Sequence, residues 1–380
     1  MRKFIVLPLL VLLAACTDDG VIMPVGPDGP LFAKKCSSPP CDKGGGGGGD
    51  ADGEYTITDL GTLPGNISSR GSGINVNGGK IQLVGMSGGG EAGLEVATRW
   101  TVDSDGIVTE VDSLEMPVGT KYAWALAITE TGIAVGQSGF RPVYWDANGS
   151  INSLLLGDNV TRGRANDVSL VDGEVFIVGQ QRTTPAQAVY WVGSSFELQP
   201  LPIFEDGAHA SAQAVNSQGT IAARSTGHAV VWHPDANGDY QVCDLGLNSI
   251  AFGISELNTE GLVHVAGAYP TTDYFATVWT VDLDATLWEQ PAKPCAVTNV
   301  RSLDFFSEFV DVNAQGDAVG DDIGKHKAIL WPEGNALVYL PSLTNRGSSG
   351  ANAISADGKY IAGRSRTKRS TRAVLWTRKD

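Results

Sequence analysis

The chain has 380 residues, of which 42% are apolar and 18% charged, and its 42 acidic and 27 basic residues give a net charge of −15. It is long enough to bury a sizeable core. So acidic a chain argues against nucleic acid and anionic lipid surfaces as partners, and we predict no nucleic-acid partner. No residue pattern indicates a cofactor, and none is predicted.

The chain begins with a secretion signal. Arg2 and Lys3 precede an apolar run, residues 4–13, that is too short to remain as a membrane span. The following LAAC (13–16) resembles the bacterial lipobox, in which the cysteine is lipidated. We predict that residues 1–15 are a lipoprotein signal peptide and that Cys16 is lipidated. An ordinary secretory signal with an incidental cysteine is the alternative.

Cleavage would also set the charge and the location of the mature chain. Loss of Arg2 and Lys3 moves the net charge by −2, from −15 to −17. The mature chain is then predicted to lie outside the cytoplasm, with the cell membrane as its partner through the lipid anchor. The lipobox resemblance further implies the outer membrane, where one is present, because Thr17 rather than Asp follows the cysteine.

Residues 16–53 are predicted to be the lipidated cysteine and a flexible tether, because they are turn-rich and contain six consecutive glycines. Cysteine usage fits an oxidising compartment. We expect Cys36 to pair with Cys41 inside the tether, and Cys243 with Cys295. A metal site is the alternative, but the chain has no C-x-x-C and no close histidine pair.

From residue 54 onwards the chain is a repeat. Four residues ending in tryptophan recur as ATRW, PVYW, AVYW, AVVW, ATVW, AILW and AVLW, at intervals of 45, 46, 41, 47, 52 and 45. Each unit holds four short β runs, here called a to d, with Asn/Asp-Gly hairpin signals between a and b and between c and d. A four-stranded meander repeated every 40–50 residues is typical of a propeller blade. We predict an all-β, seven-bladed β-propeller over residues 54–380.

The recurring tryptophan has a physical explanation. One blade cannot bury both of its faces, so a large side chain that fills the space between neighbours is needed once per blade. The last unit, however, lacks a d strand, while residues 54–65 have d character and no preceding a, b and c. We therefore predict that this N-terminal strand closes the last blade as its outer strand.

The first unit, DLGTLPGNISSRGSGINVNG followed by LVGMS and ATRW, resembles the bacterial extracellular HAF-repeat family over about residues 55–376. Of the His-Ala-Phe-x-Trp ending that names the repeat, only Ala and Trp remain here. The resemblance implies propeller-like repeats and carries no general enzymatic activity.

Function is expected on the face that carries the d–a and b–c connections, because these are long and differ from one another. Residues 364–372 contain five Arg or Lys in nine positions. We predict a binding or scaffold module for a glycan, a peptide or an envelope protein, with arginines contacting carboxylates and aromatic rings providing contact area. The candidate binding residues are Arg70, Tyr122, Trp124, Tyr269, Tyr274, Phe305, Phe306, Arg346, Arg364, Arg366, Lys368 and Arg369.

Three alternatives remain open at this point. The basic loops could be solvated surface with their aromatics packed on blade ends. The chain could be a polysaccharide glycosidase or lyase using Glu205, Asp206 or Asp304, or a purely architectural envelope component. GMSGG (85–89) matches G-x-S-x-G, but it ends a strand rather than beginning a helix, so no catalytic residue is assigned.

Overall fold

The computed structural model describes residues 49–50, 54–90, 93–205, 207–270, 274–283, 293–345 and 347–379. All regular secondary structure in these residues is β-strand, so the predicted all-β class is confirmed. The predicted signal peptide and most of the predicted tether, with Cys16, Cys36 and Cys41, lie outside the described residues.

The strands form blades of four, ordered a to d along the chain except in blade 7, whose strand d comes from the N-terminus. The two N-terminal strands are β1 (Gly49–Asp50) and β2 (Tyr55–Asp59). Blade 1 contains β3 (Ser68–Asn77), β4 (Lys80–Gly88), β5 (Glu95–Val102) and β6 (Val108–Ser113). Blade 2 contains β7 (Ala123–Ile128), β8 (Ala134–Ser138), β9 (Arg141–Trp145) and β10 (Ile151–Ser153). Blade 3 contains β11 (Gly163–Val171), β12 (Glu174–Gln181), β13 (Gln187–Val192) and β14 (Glu197–Pro200).

The second half of the chain repeats this plan. Blade 4 contains β15 (Ala210–Val215), β16 (Ile221–Ser225), β17 (His228–Pro234) and β18 (Tyr240–Leu247). Blade 5 begins with β19 (Ile250–Ile254), β20 (Leu262–Pro270) and β21 (Tyr274–Asp282). The short β22 (Lys293–Pro294) pairs with β18, and the long β23 (Ala296–Val312) follows it. Blade 6 continues with β24 (Ala318–Asp322), β25 (Lys327–Trp331) and β26 (Val338–Tyr339), and blade 7 contains β27 (Ser349–Ile354), β28 (Tyr360–Arg366) and β29 (Thr371–Arg378).

Strand β23 serves two blades. Its first part pairs with β21 as strand d of blade 5, and from Ser307 onwards it pairs with β24 as strand a of blade 6. Residues 304–309 therefore belong to this continuous strand and form no separate d–a loop, and they contain no Gly or Pro that would break the extended backbone. The described strands form six hydrogen-bonded sheets, because β23 joins two blades into one sheet. Taking the two parts of β23 separately divides the described strands into seven blades.

The ring is closed by the N-terminal strand, as predicted. β2 pairs antiparallel with β29 over Tyr55 to Asp59, and so supplies strand d of blade 7. The a strands contact one another in order around the circle, and β27 returns to contact β3. Strand β2 thus covers the edge that β29 would otherwise expose and becomes the outermost strand of blade 7.

The recurring tryptophans pack between blades. Six of them are 0% exposed, and each belongs to a cluster that includes apolar residues of the preceding blade. Four indole N–H groups donate to a carbonyl just after strand d of that blade, as Trp376 does to Pro341 O at 2.7 Å. The side chain of Trp331 is only partly buried, against Phe309. This once-per-blade contact explains why the chain repeats the residue.

The tight turns and one predicted disulfide are also present. Gly78 and Gly79 both have positive φ in the two-residue turn between β3 and β4, a conformation that favours glycine. Cys243 and Cys295 form a disulfide with a Cα–Cα distance of 4.8 Å, as predicted. It ties strand d of blade 4 to the start of β23 across a sequence separation of 52.

Candidate functional site

The d–a and b–c connections gather on one face of the propeller, here called the loop face. This follows from the meander: neighbouring strands alternate in direction, so a–b and c–d turns lie on the opposite face. The a strands line the central channel, whose mouth opens on the loop face. The cleft and the polar groups described below lie on this face and in this channel.

The first feature is a basic cleft between blades 6 and 7. It has a volume of about 760 Å³ and contains Lys325 and His326 from the b–c connection of blade 6 and Arg366 and Lys368 from that of blade 7. Its remaining lining is the d–a connection between these blades, including Thr344 and Ser348. No carboxylate belongs to the described lining. The cleft is therefore electropositive in a chain that is acidic as a whole.

Local hydrogen bonds hold this cleft in shape. The Arg366 N–H donates to Ser348 O at 2.7 Å, which fixes the b–c connection of blade 7 to the d–a connection. The Lys325 ammonium donates to the Tyr339 hydroxyl at 2.6 Å and lies 3.7 Å from the Asp322 carboxylate. The hydrogen bond to Tyr339 raises the pKa of Lys325, so this side chain stays charged. Arg366 and Lys368 form no ion pair with any described residue.

The second feature is a polar chain across the channel wall. Arg364 Nη2 lies 2.7 Å from Asp321 Oδ2, and Arg364 Nη1 donates to Asn352 Oδ1 at 3.1 Å. Asn352 Nδ2 then donates to Gly71 O at 2.6 Å, so the chain joins blades 6, 7 and 1. Burial raises the pKa of Asp321 in spite of the nearby arginine. Burial, and then the neighbouring Asp321, raise the pKa of Glu308 to about 7.

Two further carboxylates lie deeper in the channel wall and connect neighbouring blades. Asp167 accepts the Val215 N–H at 2.8 Å, and Asp311 accepts the Ile354 N–H at 2.9 Å. In each case the donor belongs to strand a of the next blade. Burial raises the pKa of Asp167 to about 6 and that of Asp311 to about 7. These groups have a clear structural role in joining the blades.

The predicted basic residues are divided between these features. Arg366 and Lys368 line the cleft, and Arg369 is exposed in the same connection. Arg364 instead faces the channel, where it pairs with Asp321. Arg70 is half-buried at the start of strand a in blade 1, opposite Met86. Arg346 lies outside the described residues.

The predicted aromatic residues also separate. Tyr269 is part of the core between blades 4 and 5, and its hydroxyl accepts the Trp279 indole N–H at 3.2 Å. Tyr274 packs edge-on against Phe306, with ring centroids 6.2 Å apart. Phe305 lies 5.9 Å from the Lys325 ammonium, near the basic cleft.

Tyr122 and Trp124 belong to a different part of the loop face. They lie at the start of blade 2, with ring centroids 5.2 Å apart, and the Trp124 indole donates to Glu95 Oε2 at 2.7 Å.

The two described carboxylates named for the enzyme alternative are exposed and are not among the buried channel carboxylates. Glu205 is exposed in a d–a connection, Asp304 is exposed on β23, and Asp206 lies outside the described residues. The channel carboxylates lie on strands a and b, whereas the sequence predicted functional residues in the connections between strands. A comparison of repeat positions would have shown Asp167 and Asp311 at a site where other units have Gly or Ala.

The described residues show neither a metal-binding cluster nor a membrane-spanning helix. They contain no group of three or more His, Cys, Asp or Glu side chains placed to hold a metal ion. They also contain no helix of the length and apolarity that crossing a membrane requires.

Known structures share this architecture. A streptogramin B lyase aligns with a TM-score of 0.56 at 8% identity, covering 86% of this chain and 98% of that one. A catalytically inactive virginiamycin B lyase from Staphylococcus aureus, solved with quinupristin, gives 0.57 at 12%, covering 85% and 99%. The β-propeller domain of Cps50 from Myceliophteria thermophila gives 0.53 at 12%, covering 85% and 99%. No family model matches the chain, and neither does any curated protein.

These similarities define the class of protein. The chain is a β-propeller, and at such low identity the likeness concerns the fold alone. Propellers support many unrelated activities, so function has to be argued from this chain's own residues.

Proposed function

We propose that this chain is a lipid-anchored extracytoplasmic propeller that binds an anionic glycan, peptide or envelope protein through its loop face. The observation that carries the proposal is the basic cleft between blades 6 and 7. In a chain with a net charge of −15, a cleft with Lys325, Arg366 and Lys368 and no carboxylate in its described lining is a concentrated positive field. Such a field attracts and orients a carboxylate or another anion.

The geometry of the cleft supports an anionic ligand over a structural role for its cations. Arg366 and Lys368 are exposed and form no ion pair with a described residue, so neither is needed to neutralise a protein carboxylate. A guanidinium offers paired N–H groups to a carboxylate, and an ammonium adds a point charge. Backbone hydrogen bonds to the connections fix these positions before a ligand arrives, which lowers the entropic cost of binding.

The test is a binding screen of residues 54–380 against anionic glycans and envelope extract at two salt concentrations. The variant Arg366→Gln/Lys368→Gln removes two charges from the cleft. Its matched control, Lys80→Gln/Lys379→Gln, removes two charges from exposed side chains on the opposite face. We expect the cleft variant to lose binding by about tenfold or more, and the control to retain it. Equal binding by both variants would refute the proposal.

Anchoring is tested separately. We expect the full chain expressed in bacteria to incorporate labelled fatty acid and to sediment with membranes, and Cys16→Ser to do neither. Labelling of the Cys16→Ser chain would show that the lipid is attached elsewhere, and no labelling of the unmodified chain would show that there is no lipid anchor.

A polysaccharide hydrolase or lyase is the second candidate, and one observation favours it. Glu308, whose pKa is raised to about 7, lies at the channel mouth beside Asp321 and Arg364. A carboxyl group that holds a proton near neutral pH can act as a general acid. Turnover of a polysaccharide panel that is lost in Glu308→Gln would support this activity, and the absence of turnover in the unmodified chain would dismiss it.

A further inference from the structure

A second cationic group lies on the loop face, away from the basic cleft, between blades 2 and 3. Arg162 ends the d–a connection before β11, Arg164 lies on β11, and Arg182 follows β12. The Arg182 N–H donates to Arg162 O at 2.9 Å. Burial, and then the charge of Arg182, lower the pKa of Arg164 to about 10. The three arginines are therefore close together.

These arginines are not neutralised by the protein. None of them forms an ion pair with a described residue, and the Nε of Arg164 donates only to the Asn166 side chain. Opposite Arg164 on β12 lies Gln180, which is 1% exposed and whose Oε1 has no hydrogen-bond partner among the described residues. Arg162 and Arg182 are exposed and Arg164 is half-buried, and grouping three like charges is unfavourable unless an anion neutralises them. The described residues thus leave ion-pairing and hydrogen-bonding groups of this region without protein partners.

Aromatic rings form the adjoining wall. Phe140, which is 51% exposed, lies edge-on to Tyr122 at 5.9 Å, and the Arg162 guanidinium lies 4.5 Å from the Phe140 ring centroid. Trp124 stands next to Tyr122 and is fixed by its hydrogen bond to Glu95. Burial raises the pKa of Tyr122, and the positive charges of Arg182 and Arg162 oppose this rise. Aromatic faces and cations therefore share one surface.

We propose that this aromatic–arginine surface is a second binding subsite, and that its ligand is a uronic-acid unit of an acidic glycan. A sugar ring presents C–H groups that pack on aromatic rings, and its carboxylate matches the guanidinium groups. A neutral sugar would leave the arginines unpaired, and a simple inorganic anion would leave the aromatic wall exposed. This inference rests on the proposed function and deepens it by naming the ligand class.

The experiment measures binding of trigalacturonic acid to residues 54–380 by titration calorimetry, with its methyl ester as the uncharged partner. We expect the acid to bind and the ester to bind at least tenfold more weakly. The variants Arg162→Gln/Arg182→Gln and Phe140→Ala should each weaken binding, by about tenfold and about fivefold. Lys80→Gln/Lys379→Gln is again the matched control, and thermal melting of all variants confirms that they fold.

The outcomes separate this inference from the proposed function. Loss of trisaccharide binding in Arg162→Gln/Arg182→Gln, but not in Arg366→Gln/Lys368→Gln, supports the second subsite. Equal affinity for acid and ester, unchanged binding in Arg162→Gln/Arg182→Gln, or no measurable trisaccharide binding overturns it. If the trisaccharide does not bind, the protein can still bind envelope extract. Loss of that binding in Arg366→Gln/Lys368→Gln would support the proposed function without the second subsite.

Discussion

Arg364 Nη2 lies 2.7 Å from Asp321 Oδ2, and this ion pair occupies the space that Gly350 leaves by having no side chain. Asp321 belongs to blade 6, whereas Gly350 and Arg364 belong to blade 7. Since Asp321 Oδ1 also accepts the Ala351 N–H at 3.1 Å, the contact connects two blades through both backbone and side chain.

A side chain at position 350 should break this contact. In Gly350→Ala the new Cβ would lie 2.6 Å from Asp321 Oδ1 and 2.7 Å from Arg364 Cζ, so the pair must separate. We expect a loss of about 1–3 kcal/mol in the free energy of unfolding, measured by urea titration. Gly324→Ala, where the nearest atom is 3.5 Å from the new Cβ, is the control. Equal stability of the two variants would contradict the assignment.

The buried carboxyl group of Asp311 should make stability depend on pH. Burial raises its pKa to about 7 in the folded state, whereas an unfolded aspartate ionises near pH 4. The folded state therefore holds the proton more tightly between these values. The stability from this group is complete below about pH 4 and is lost as pH rises through about 7, with a slope of up to about 1.4 kcal/mol per pH unit.

The measurement is the urea midpoint at several pH values between 4 and 8. We expect a smaller decline in Asp311→Asn than in the unmodified chain, because the amide does not titrate. Asp105→Asn, at an exposed turn position, serves as control. Parallel curves for Asp311→Asn and the unmodified chain would rule out this explanation.

Two equally buried tryptophans should differ in the cost of replacement. Trp376 and Trp100 are both 0% exposed, but Trp376 Nε1 donates to Pro341 O, whereas Trp100 Nε1 has no hydrogen-bond partner among the described residues. We expect Trp376→Phe to lose about 1–2 kcal/mol more than Trp100→Phe, since only the former leaves a buried carbonyl unsatisfied. Thermal and urea unfolding of the pair provide the comparison, and a larger loss in Trp100→Phe would show that packing outweighs the hydrogen bond.

The disulfide should contribute substantially to stability. Cys243 and Cys295 are 2% and 7% exposed, and they close a loop spanning a sequence separation of 52. A crosslink over such a loop stabilises the folded state by about 4 kcal/mol through the entropy of the unfolded chain. We expect Cys243→Ser/Cys295→Ser to unfold at lower urea and to show no response to reductant. An unchanged midpoint would mean that the unfolded chain is already compact in this region.

Much of the fold follows from the repeat. Because each unit must bury the same kind of interface, the tryptophan and the Gly-containing turns recur from unit to unit. The last unit lacks a strand d, and this gap predicts the closing strand at Tyr55. What the repeat does not show is where a loop is replaced by strand. Residues 304–309 show no strict alternation of apolar and polar side chains, and only pairing on both sides decides that β23 continues through them.

The site was less predictable, because a run of basic residues does not show which way each side chain points. Arg364 and Arg366 are two residues apart, yet one faces the channel and the other the cleft. Asp321 decides this, from another blade and 43 residues away along the chain. The channel carboxylates were missed for a related reason. In a single unit, Asp311 looks like an ordinary polar position, and only the ring brings it into the channel wall.

Strand β23 has a consequence for how the molecule opens. Elsewhere the described blades meet mainly through side chains, so one blade can loosen while the main-chain ladders of its neighbours persist. Blades 5 and 6 instead share 17 consecutive residues of one strand. Their amide protons should therefore exchange with deuterium as a single cooperative unit, because blades 5 and 6 cannot open independently of each other.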